Sequence, residues 1–226
     1  MAKEHRTPVA GADSVAVIGL GRFGGQVAAA LERLGHEVLA IDNDPALVQK
    51  WADKLTHVVE ADATDEEALR QLGVPDLPRA VVGIGTDIEA SALTVIGLSE
   101  LGVPEIWAKA ITAKHGQVLQ RIGAHHVVYP EAAMGERVAH LVTGKMIDFI
   151  EFDDGYAIVK TRSPREAAGR TLAESALRSK YGVTVVGVKR AGEDFTYARP
   201  ETVVQRGDLL IVSGATNDVE RFAAVT

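Results

Sequence analysis

The sequence contains no cysteine in its 226 residues. That absence excludes disulfides, thiolate metal sites, redox dithiols and cysteine nucleophiles. Aromatic residues make up only 5% of the chain, against 46% for all hydrophobic residues, so we expect a soluble globular core packed from Val, Ile, Leu and Ala. No uninterrupted apolar run approaches the ~18 residues of a membrane span. The segment Met1–Asp13 is polar, which argues against a cleaved signal peptide and favours a cytoplasmic location.

Excess positive charge and catalytic motifs are also missing. The formal net charge is −7, so no overall field attracts nucleic acid or an anionic membrane surface. We predict no nucleic-acid partner, and any action at a membrane would pass through a partner protein. The sequence lacks G-x-S-x-G, G-x-x-x-x-G-K-[ST] and H-E-x-x-H motifs, and its second half has no room for a typical substrate domain. We therefore predict that the chain is not an enzyme.

A glycine-rich loop follows the first apolar strand. Gly19, Gly21 and Gly24 have the spacing G-x-G-x-x-G. In such loops one glycine permits a tight turn, another lets a pyrophosphate approach the backbone, and the following helix offers free N–H groups to the anion. The motif alone is weak, but an Ala- and Leu-rich helix follows it, and Asp42 ends the next strand where a ribose-binding acid belongs. The loop therefore predicts a nucleotide site.

Short apolar strands alternate with helical patterns along the first part of the chain, which is typical of βαβ units and a parallel sheet. The predicted strands are 14–18, 37–41, 57–60, 80–82, 105–108 and 126–128. The predicted fold class is α/β, with a Rossmann-type doubly wound parallel sheet over residues 14–145. From Met146 onward the pattern favours hairpins, including an Asp153-Asp154-Gly155 turn, and a helix at 172–179. Residues 146–226 are thus predicted to form a small α+β domain.

Charged side chains at the strand ends are candidates for binding phosphate and a cation. Arg22 lies inside the glycine loop, where a guanidinium would neutralise the charge of a di- or triphosphate. Lys109 ends the fifth strand at the carboxyl edge of the sheet, where ligands bind. The alternative for each is a side chain that simply points into water. Glu131 follows the sixth strand, in reach of a cation held by nucleotide phosphates.

The ribose and the base would lie at the neighbouring strand ends. Asp42 is the candidate for the ribose hydroxyls, with a turn-capping role as the alternative. The segment Asp62-Ala63-Thr64 would border an adenine ring, although a helix cap also explains Thr64. Gly85 would let a nucleotide lie close to the backbone, although a plain strand-to-helix turn also explains it. The predicted ligand-binding residues are Gly19, Gly21, Arg22, Phe23, Gly24, Asp42, Asn43, Asp62, Ala63, Thr64, Gly85 and Lys109, and the predicted metal ligand is Glu131.

An ordered set of segments resembles one known family. The segments are Val17–Gly25, Leu34–Asp42, Ala61–Thr64, Ile106–Ala110 and Tyr129–Gly135, followed by Lys180–Thr184 and Gly207–Val212. Together they are similar to the cytosolic regulatory subunits of Ktr/Trk potassium transporters, the RCK or KTN family. The similarity extends over nearly the whole chain, which one glycine motif could not provide.

The resemblance implies a nucleotide-sensing regulatory subunit. Its N-terminal domains would assemble from dimers into an octameric ring beneath a membrane potassium-translocating subunit, at the inner face of the membrane. ATP and ADP would favour different ring shapes. Arg22 would sense the terminal phosphate across the dimer interface, Asp42 would bind the ribose, and Lys109 would assist at the phosphates. Glu131 would help to hold Mg²⁺, Ca²⁺ or Na⁺ there.

Two further points stay open at the level of sequence. Similar subunits bind cyclic di-AMP between two C-terminal domains with an arginine near Arg178, but Thr184 stands where some relatives carry asparagine. The chief alternative function is an NAD(H)-dependent oxidoreductase or NAD sensor, because G-x-G-x-x-G followed by an acid suits a dinucleotide equally well. A third interpretation is an assembly module with a vestigial site.

Overall fold

The computed structural model describes residues 13–152 and 155–226. The chain divides into two compact units, and the division falls between Glu131 and Ala132. The sequence instead placed the boundary at Met146. The helix 130–143 therefore belongs almost entirely with the second unit, where its Leu141 packs on the hydrophobic core.

The first unit is a six-stranded parallel sheet in the order β3-β2-β1-β4-β5-β6. This order reverses direction beside β1, as in a doubly wound Rossmann fold, and the predicted fold class is confirmed. The strands are β1 (Ser14–Ile18), β2 (Glu37–Asp42), β3 (His57–Glu60), β4 (Arg79–Val82), β5 (Glu105–Lys109) and β6 (His126–Val128). The helices are α1 (Gly24–Arg33), α2 (Pro45–Ala52), α3 (Glu66–Gln71), α4 (Ile88–Glu100) and α5 (Ala113–Arg121), with a 3₁₀ turn at Val74–Asp76.

Helices cover both faces of this sheet. Alternate residues of β1 enter different cores, since Ile18 packs with residues of α3, α4 and α5 whereas Val17 packs with residues of α1 and α2. All five residues of β1 are buried, and burial on both faces explains why the four residues after Ser14 are all apolar. Since helices cover both faces, a site can form in the loops at the carboxyl edge of the strands.

The second unit is a five-stranded antiparallel sheet in the order β10-β9-β11-β8-β7, which confirms the predicted small α+β domain. Its strands are β7 (Met146–Phe152), β8 (Tyr156–Arg162), β9 (Thr184–Lys189), β10 (Phe195–Tyr197) and β11 (Leu209–Ala215). Its helices are α6 (Pro130–Thr143), α7 (Leu172–Ser175), α8 (Leu177–Tyr181) and α9 (Thr216–Ala224), with a 3₁₀ turn at Arg165–Ala167. The core joins β8 and β11 to α9 through side chains such as Val159, Leu210 and Phe222.

Two local predictions in this unit have different outcomes. The single helix predicted at 172–179 is wrong, because the chain breaks at Ala176, whose φ is 48°. Thr171 and Glu174 form a capping box that starts α7, and Leu177 is buried in the core at the start of α8. Strands β7 and β8 pair antiparallel, as a hairpin requires. The predicted turn at Asp153-Asp154 lies outside the described residues.

Candidate nucleotide-binding site

A cavity of about 520 Å³ opens at the carboxyl edge of the first sheet. The loops that follow β1, β2, β3 and β4 contribute to its wall, together with Lys109 at the end of β5. Predicted ligand-binding residues that line it are Gly19, Gly21, Arg22, Phe23, Asp42, Asn43, Asp62, Ala63, Thr64, Gly85 and Lys109. Gly24 and Glu131 do not line it. The fold thus brings together residues that are up to 90 positions apart in sequence, as Gly19 and Lys109 are.

The three motif glycines serve different needs. Gly19 has φ +87°, a conformation that L side chains rarely adopt. A Cβ on Gly24 would lie 1.9 Å from the carbonyl oxygen of Gly19, so Gly24 lets α1 pack against the loop. Gly21 lines the cavity, and a Cβ there would meet no atom of the chain within 4 Å. The fold therefore requires Gly19 and Gly24, whereas only a ligand in the cavity would require Gly21.

Two side chains hold the backbone of the glycine loop in place. The N–H of Leu20 donates to Asp42 Oδ2 at 2.5 Å, and Trp51 Nε1 donates to the carbonyl oxygen of Leu20 at 2.8 Å. Asp42 Oδ1 accepts a second backbone bond, from the N–H of Asp44 at 2.8 Å. Trp51 lies over Gly25, where a Cβ would be 2.1 Å from the indole ring. Asp42 thus holds the glycine loop and the loop after β2 in place. The turn-capping role predicted as the alternative to ribose binding is therefore observed.

The helix α2 that carries Trp51 was not singled out from the sequence. Its N-cap is Asp44, whose side chain accepts from the N–H of Ala46, and Pro45 occupies its first turn. Asp44 followed by Pro45 is the sequence signal that could have located this helix. The pairing of Trp51 with Gly25 has no such signal, because it depends on tertiary packing.

Lys109 extends along the cavity wall and forms an ion pair with Glu131. Lys109 Nζ lies 2.6 Å from Glu131 Oε1 and 5.7 Å from the centre of the Phe23 ring. A Cβ on Gly85 would lie 3.2 Å from Cε and Nζ of Lys109, so this glycine makes room for the lysine. The Lys109 side chain is only 11% exposed, and the alternative of a lysine that simply points into water is wrong.

The positive charges near Glu131 lower the pKa of its carboxylate. The hydrogen bond from Lys109 lowers the pKa of Glu131 below its ordinary value, and the positive charges of Lys109 and Arg22 act in the same direction. Arg22 itself is exposed and lines the cavity, and it forms no ion pair with any described residue. Arg22 and Lys109 thus both line the cavity, and Glu131 balances part of the charge of Lys109.

The loop after β3 is ordered by its own side chains. Asp62 Oδ1 accepts from the N–H of Thr64 at 2.9 Å and from its hydroxyl at 2.8 Å, and these bonds lower the pKa of Asp62. Ala63 is buried in the core beneath. The cap of α3 is Asp65, which accepts from the N–H of Glu67, so the alternative explanation of Thr64 as a helix cap is wrong.

Further residues line the cavity that the sequence did not single out, namely Lys50 of α2 and three residues of the β4–α4 segment, Asp87, Ala90 and Thr94. Asp87 caps α4 by accepting from the N–H of Ala90 at 2.9 Å. The hydroxyl of Thr94 is buried and has no hydrogen-bond partner among the described residues. Neither the helix pattern nor a motif marks Thr94, because its position against the cavity follows from the packing of α4.

The predicted metal ligand Glu131 and the cyclic di-AMP candidate Arg178 do not line the cavity. Within the described ranges no group of three or more His, Cys, Asp or Glu residues is arranged to hold a metal ion, so Glu131 belongs to no such group. A hollow of about 200 Å³ in the second unit is lined by Arg190, Thr202 and neighbouring residues. Arg178, the candidate for cyclic di-AMP, does not line it, and neither does Thr184.

Two family patterns match this chain, one in each of its two units. The sequence pattern of the TrkA-N domain matches residues 15–130, and that of the TrkA-C domain matches residues 156–225. The chain belongs to the TrkA-N/TrkA-C family. The resemblance to Ktr/Trk regulatory subunits is thereby confirmed.

Members of this family and solved structures extend the comparison. Ktr system potassium uptake proteins A and C of Bacillus subtilis (strain 168) are 38% and 40% identical to this chain, each over 92% of it and 94% of the relative. The GsuK channel bound to NAD has a TM-score of 0.64 at 20% identity, over 91% of this chain and 38% of that chain. GsuK bound to ADP has a TM-score of 0.50 at 25% identity, over 58% of this chain and 34% of that chain. Across residues 13–152 and 155–226, no helix of this TrkA-family chain combines the length and apolar character that crossing a bilayer requires.

Proposed function

We propose that this chain is a nucleotide-sensing, non-enzymatic regulatory subunit of a potassium uptake system. It binds ATP and ADP in the cavity of the first unit, and its copies form a ring, built from dimers into an octamer, that acts on a membrane potassium-translocating subunit. The Bacillus relatives, named as potassium uptake proteins, support the assignment to a potassium uptake system. The structure of GsuK bound to ADP supports an adenine nucleotide as the ligand. The observation that carries the proposal is Gly21, which lines a cavity that Arg22 and Lys109 also line, and at which a Cβ would meet no atom of the chain within 4 Å.

The nucleotide lies along the strand ends. Its phosphates meet the backbone at Gly21 and the cations Arg22 and Lys109, because backbone N–H groups and positive side chains both favour an anion. The ribose reaches Asp42. Each Asp42 oxygen already accepts one backbone bond, but a carboxylate oxygen has two lone pairs, so a ribose hydroxyl can still donate to it. The base borders the loop 62–64.

Regulation follows from linkage. ATP and ADP differ by one terminal phosphate, and a ligand can shift a conformational equilibrium only by its different affinity for the two states. Arg22 is exposed and unpaired within the described chain, so it is available to a phosphate held by a neighbouring copy. A terminal phosphate shared in this way would bind one ring shape more tightly than the other.

A cation and a second ligand complete the proposal. Mg²⁺, Ca²⁺ or Na⁺ would take the Glu131 carboxylate from the protein and its other ligands from phosphate and water, as Mg²⁺ commonly does. Cyclic di-AMP would bind between two C-terminal domains near Arg178. The location follows from the partner: the chain would be cytoplasmic and held at the inner face of the membrane by the translocating subunit.

Calorimetry with ATP, ADP, NAD⁺ and NADH, with and without Mg²⁺, tests the ligand. We expect ATP and ADP to bind more tightly than NAD⁺ and NADH. Arg22→Ala should weaken ATP binding by about 1 to 3 kcal/mol, as loss of a charge-assisted contact does. Arg33→Ala, at an exposed arginine that ends α1 outside the cavity, should not. If NADH binds best and Arg22→Ala has no effect, the NAD sensor or oxidoreductase takes the place of this proposal.

Light scattering on the purified chain tests the assembly. An octamer whose hydrodynamic radius differs between saturating ATP and saturating ADP is the expected result. A monomer at every nucleotide concentration would contradict the ring. Unchanged thermal stability with all four nucleotides would favour the assembly module with a vestigial site, because a ligand must stabilise the state that binds it.

A further inference from the structure

We propose that Glu131 is a specificity-determining residue that competes with the phosphates of the ligand for the ammonium group of Lys109. The inference rests on the proposed function, in which Lys109 binds nucleotide phosphates. It gives Glu131 a role in the protein before any cation is present. By this role Glu131 sets how much negative charge a ligand must bring in order to bind.

The contact between the two side chains is close and specific. Lys109 Nζ donates to Glu131 Oε1 at 2.6 Å, a short, charge-assisted hydrogen bond. Glu131 is the only acceptor of Lys109 among the described residues, and the centre of the Phe23 ring lies 5.7 Å from Nζ. A phosphate oxygen that bound Nζ would have to take the place of this carboxylate or share the ammonium group with it.

Burial decides which partner can leave. The Lys109 side chain is 11% exposed, whereas the Glu131 side chain is 64% exposed. A lysine side chain that is mostly shielded from water favours an anionic partner, because an unpaired charge away from water is costly. A largely exposed carboxylate regains water when it rotates away. The ligand can therefore exchange one anion for another at a lysine that stays in place.

The charges around the cavity allow Glu131 to act on a bound phosphate as well as on Lys109. Arg22 is close enough for its charge to favour the ionised form of Glu131, so this carboxylate lies in the field of both cations that would meet the phosphates. A nucleotide phosphate placed at those cations is repelled by Glu131 unless the carboxylate moves or a cation lies between them. Competition is therefore strongest for a nucleotide without a bound cation.

The structure also offers a matched control for this role. Glu136 lies on the same helix, α6, and is exposed. It forms no ion pair with any residue of the described ranges. Glu136→Gln changes the net charge of the chain by the same amount as Glu131→Gln, without touching Lys109.

Titration of the full chain with ATP and with adenosine, in buffer containing EDTA, tests the inference. Wild type, Glu131→Gln and Glu136→Gln are compared, and the folded state of each is checked by its melting temperature. We expect Glu131→Gln to bind ATP roughly 5- to 10-fold more tightly than wild type, since removal of a competing charge-assisted contact is worth about this much. Glu136→Gln should match wild type. Adenosine, which carries no phosphate, should bind all three proteins equally.

Three results would overturn the inference while leaving the proposed function intact. They are an unchanged or weaker ATP affinity for Glu131→Gln, an equal gain for Glu136→Gln, and a parallel gain in adenosine affinity, which would indicate a general opening of the cavity. Failure of wild type to bind any nucleotide would instead overturn the proposed function and, with it, this inference.

Discussion

The carboxylate of Asp42 accepts a hydrogen bond from the backbone N–H of Leu20 at 2.5 Å. Asp42 ends β2 and Leu20 lies in the glycine loop after β1, so a side chain 22 residues further along the chain fixes the conformation of the loop. Asp42 is buried, with only 8% of its surface exposed. The bond therefore shapes the loop before any ligand arrives.

Substitution of this carboxylate should destabilise the protein itself. In Asp42→Asn one oxygen is replaced by an NH₂ group, which must face either the N–H of Leu20 or that of Asp44. A buried donor left without an acceptor costs about 1 to 3 kcal/mol, and thermal unfolding without ligand should detect this loss. Asp53→Asn, at an exposed residue just after α2, should leave the melting temperature unchanged. An unchanged melting temperature for Asp42→Asn would mean that the hydrogen bonds from Leu20 and Asp44 to Asp42 do not stabilise the fold.

The glycine motif should separate folding from binding. Gly21→Ala places a methyl group in open space inside the cavity, so we expect normal stability and at least a roughly tenfold loss of ATP affinity, because the phosphates can no longer approach the backbone. Gly24→Ala places a methyl group 1.9 Å from the Gly19 carbonyl oxygen and should lower the free energy of unfolding. Melting curves and calorimetry on both variants check this. Tight ATP binding by Gly21→Ala would refute the assignment of the loop to phosphate.

The buried hydroxyl of Thr94 should be a cost to stability. Thr94→Val keeps the shape of the side chain and removes a polar group that lacks a partner among the described residues. We expect the free energy of unfolding to rise by about 1 kcal/mol or more, as measured by chemical denaturation. Thr86→Val, at an exposed threonine, serves as the control and should be neutral. A loss of stability in Thr94→Val would indicate that the hydroxyl is in fact hydrogen-bonded.

An ion pair between the partly exposed Arg190 and the buried Asp208 in the second unit should confer stability that depends on pH. Burial alone would raise the pKa of Asp208, but hydrogen bonds from Arg190 and from the N–H of Gln205, with the charge of Arg190, outweigh it and lower the pKa. Arg190 donates from Nε and Nη2 at 3.0 Å each. Since the pKa is lower in the folded state, the pair stabilises the protein above the pKa of an unfolded Asp. This stabilisation is lost as the pH falls through the folded pKa.

Asp208→Asn should therefore lower stability at pH 7 and flatten its decline below about pH 4, near the ordinary pKa of Asp. Denaturation at a series of pH values measures both effects. Asp194→Asn, at an exposed neighbour, should keep the wild-type pH dependence. An identical acid profile for Asp208→Asn and wild type would contradict the role of the pair.

Much of the fold was predictable because its signals are local. The alternation of apolar strands and helices predicted the parallel sheet, and the six strands lie within one residue of their expected ends. The break at Ala176 was not predicted, because alanine rarely adopts a positive φ and this residue ends α7 and precedes α8 only in the folded chain. The helix α2 was missed although Asp44 and Pro45 carried a start signal.

The candidate site was predictable to the level of strand ends but not of contacts. Strand-end position selected Asp42 and Lys109, because carboxyl ends of parallel strands share one edge. Their partners could not be read from spacing. Trp51 and Leu20 are 31 residues apart, and Lys109 and Glu131 are 22 apart. Such pairs depend on the packing of α2 and on the start of α6.

The sequence by itself determined the order of strands and helices, the loop with three glycines and the signs of the charges at the strand ends, because these depend on patterns within short segments. Only the tertiary structure decided at which glycine a side chain would meet no atom of the chain, which lysine side chain is mostly shielded from water and which carboxylate pairs with it. The physical reason is that burial and ion pairing depend on neighbours in space. For Lys109 those neighbours are Phe23, Gly85 and Glu131, and the doubly wound sheet brings them to one edge.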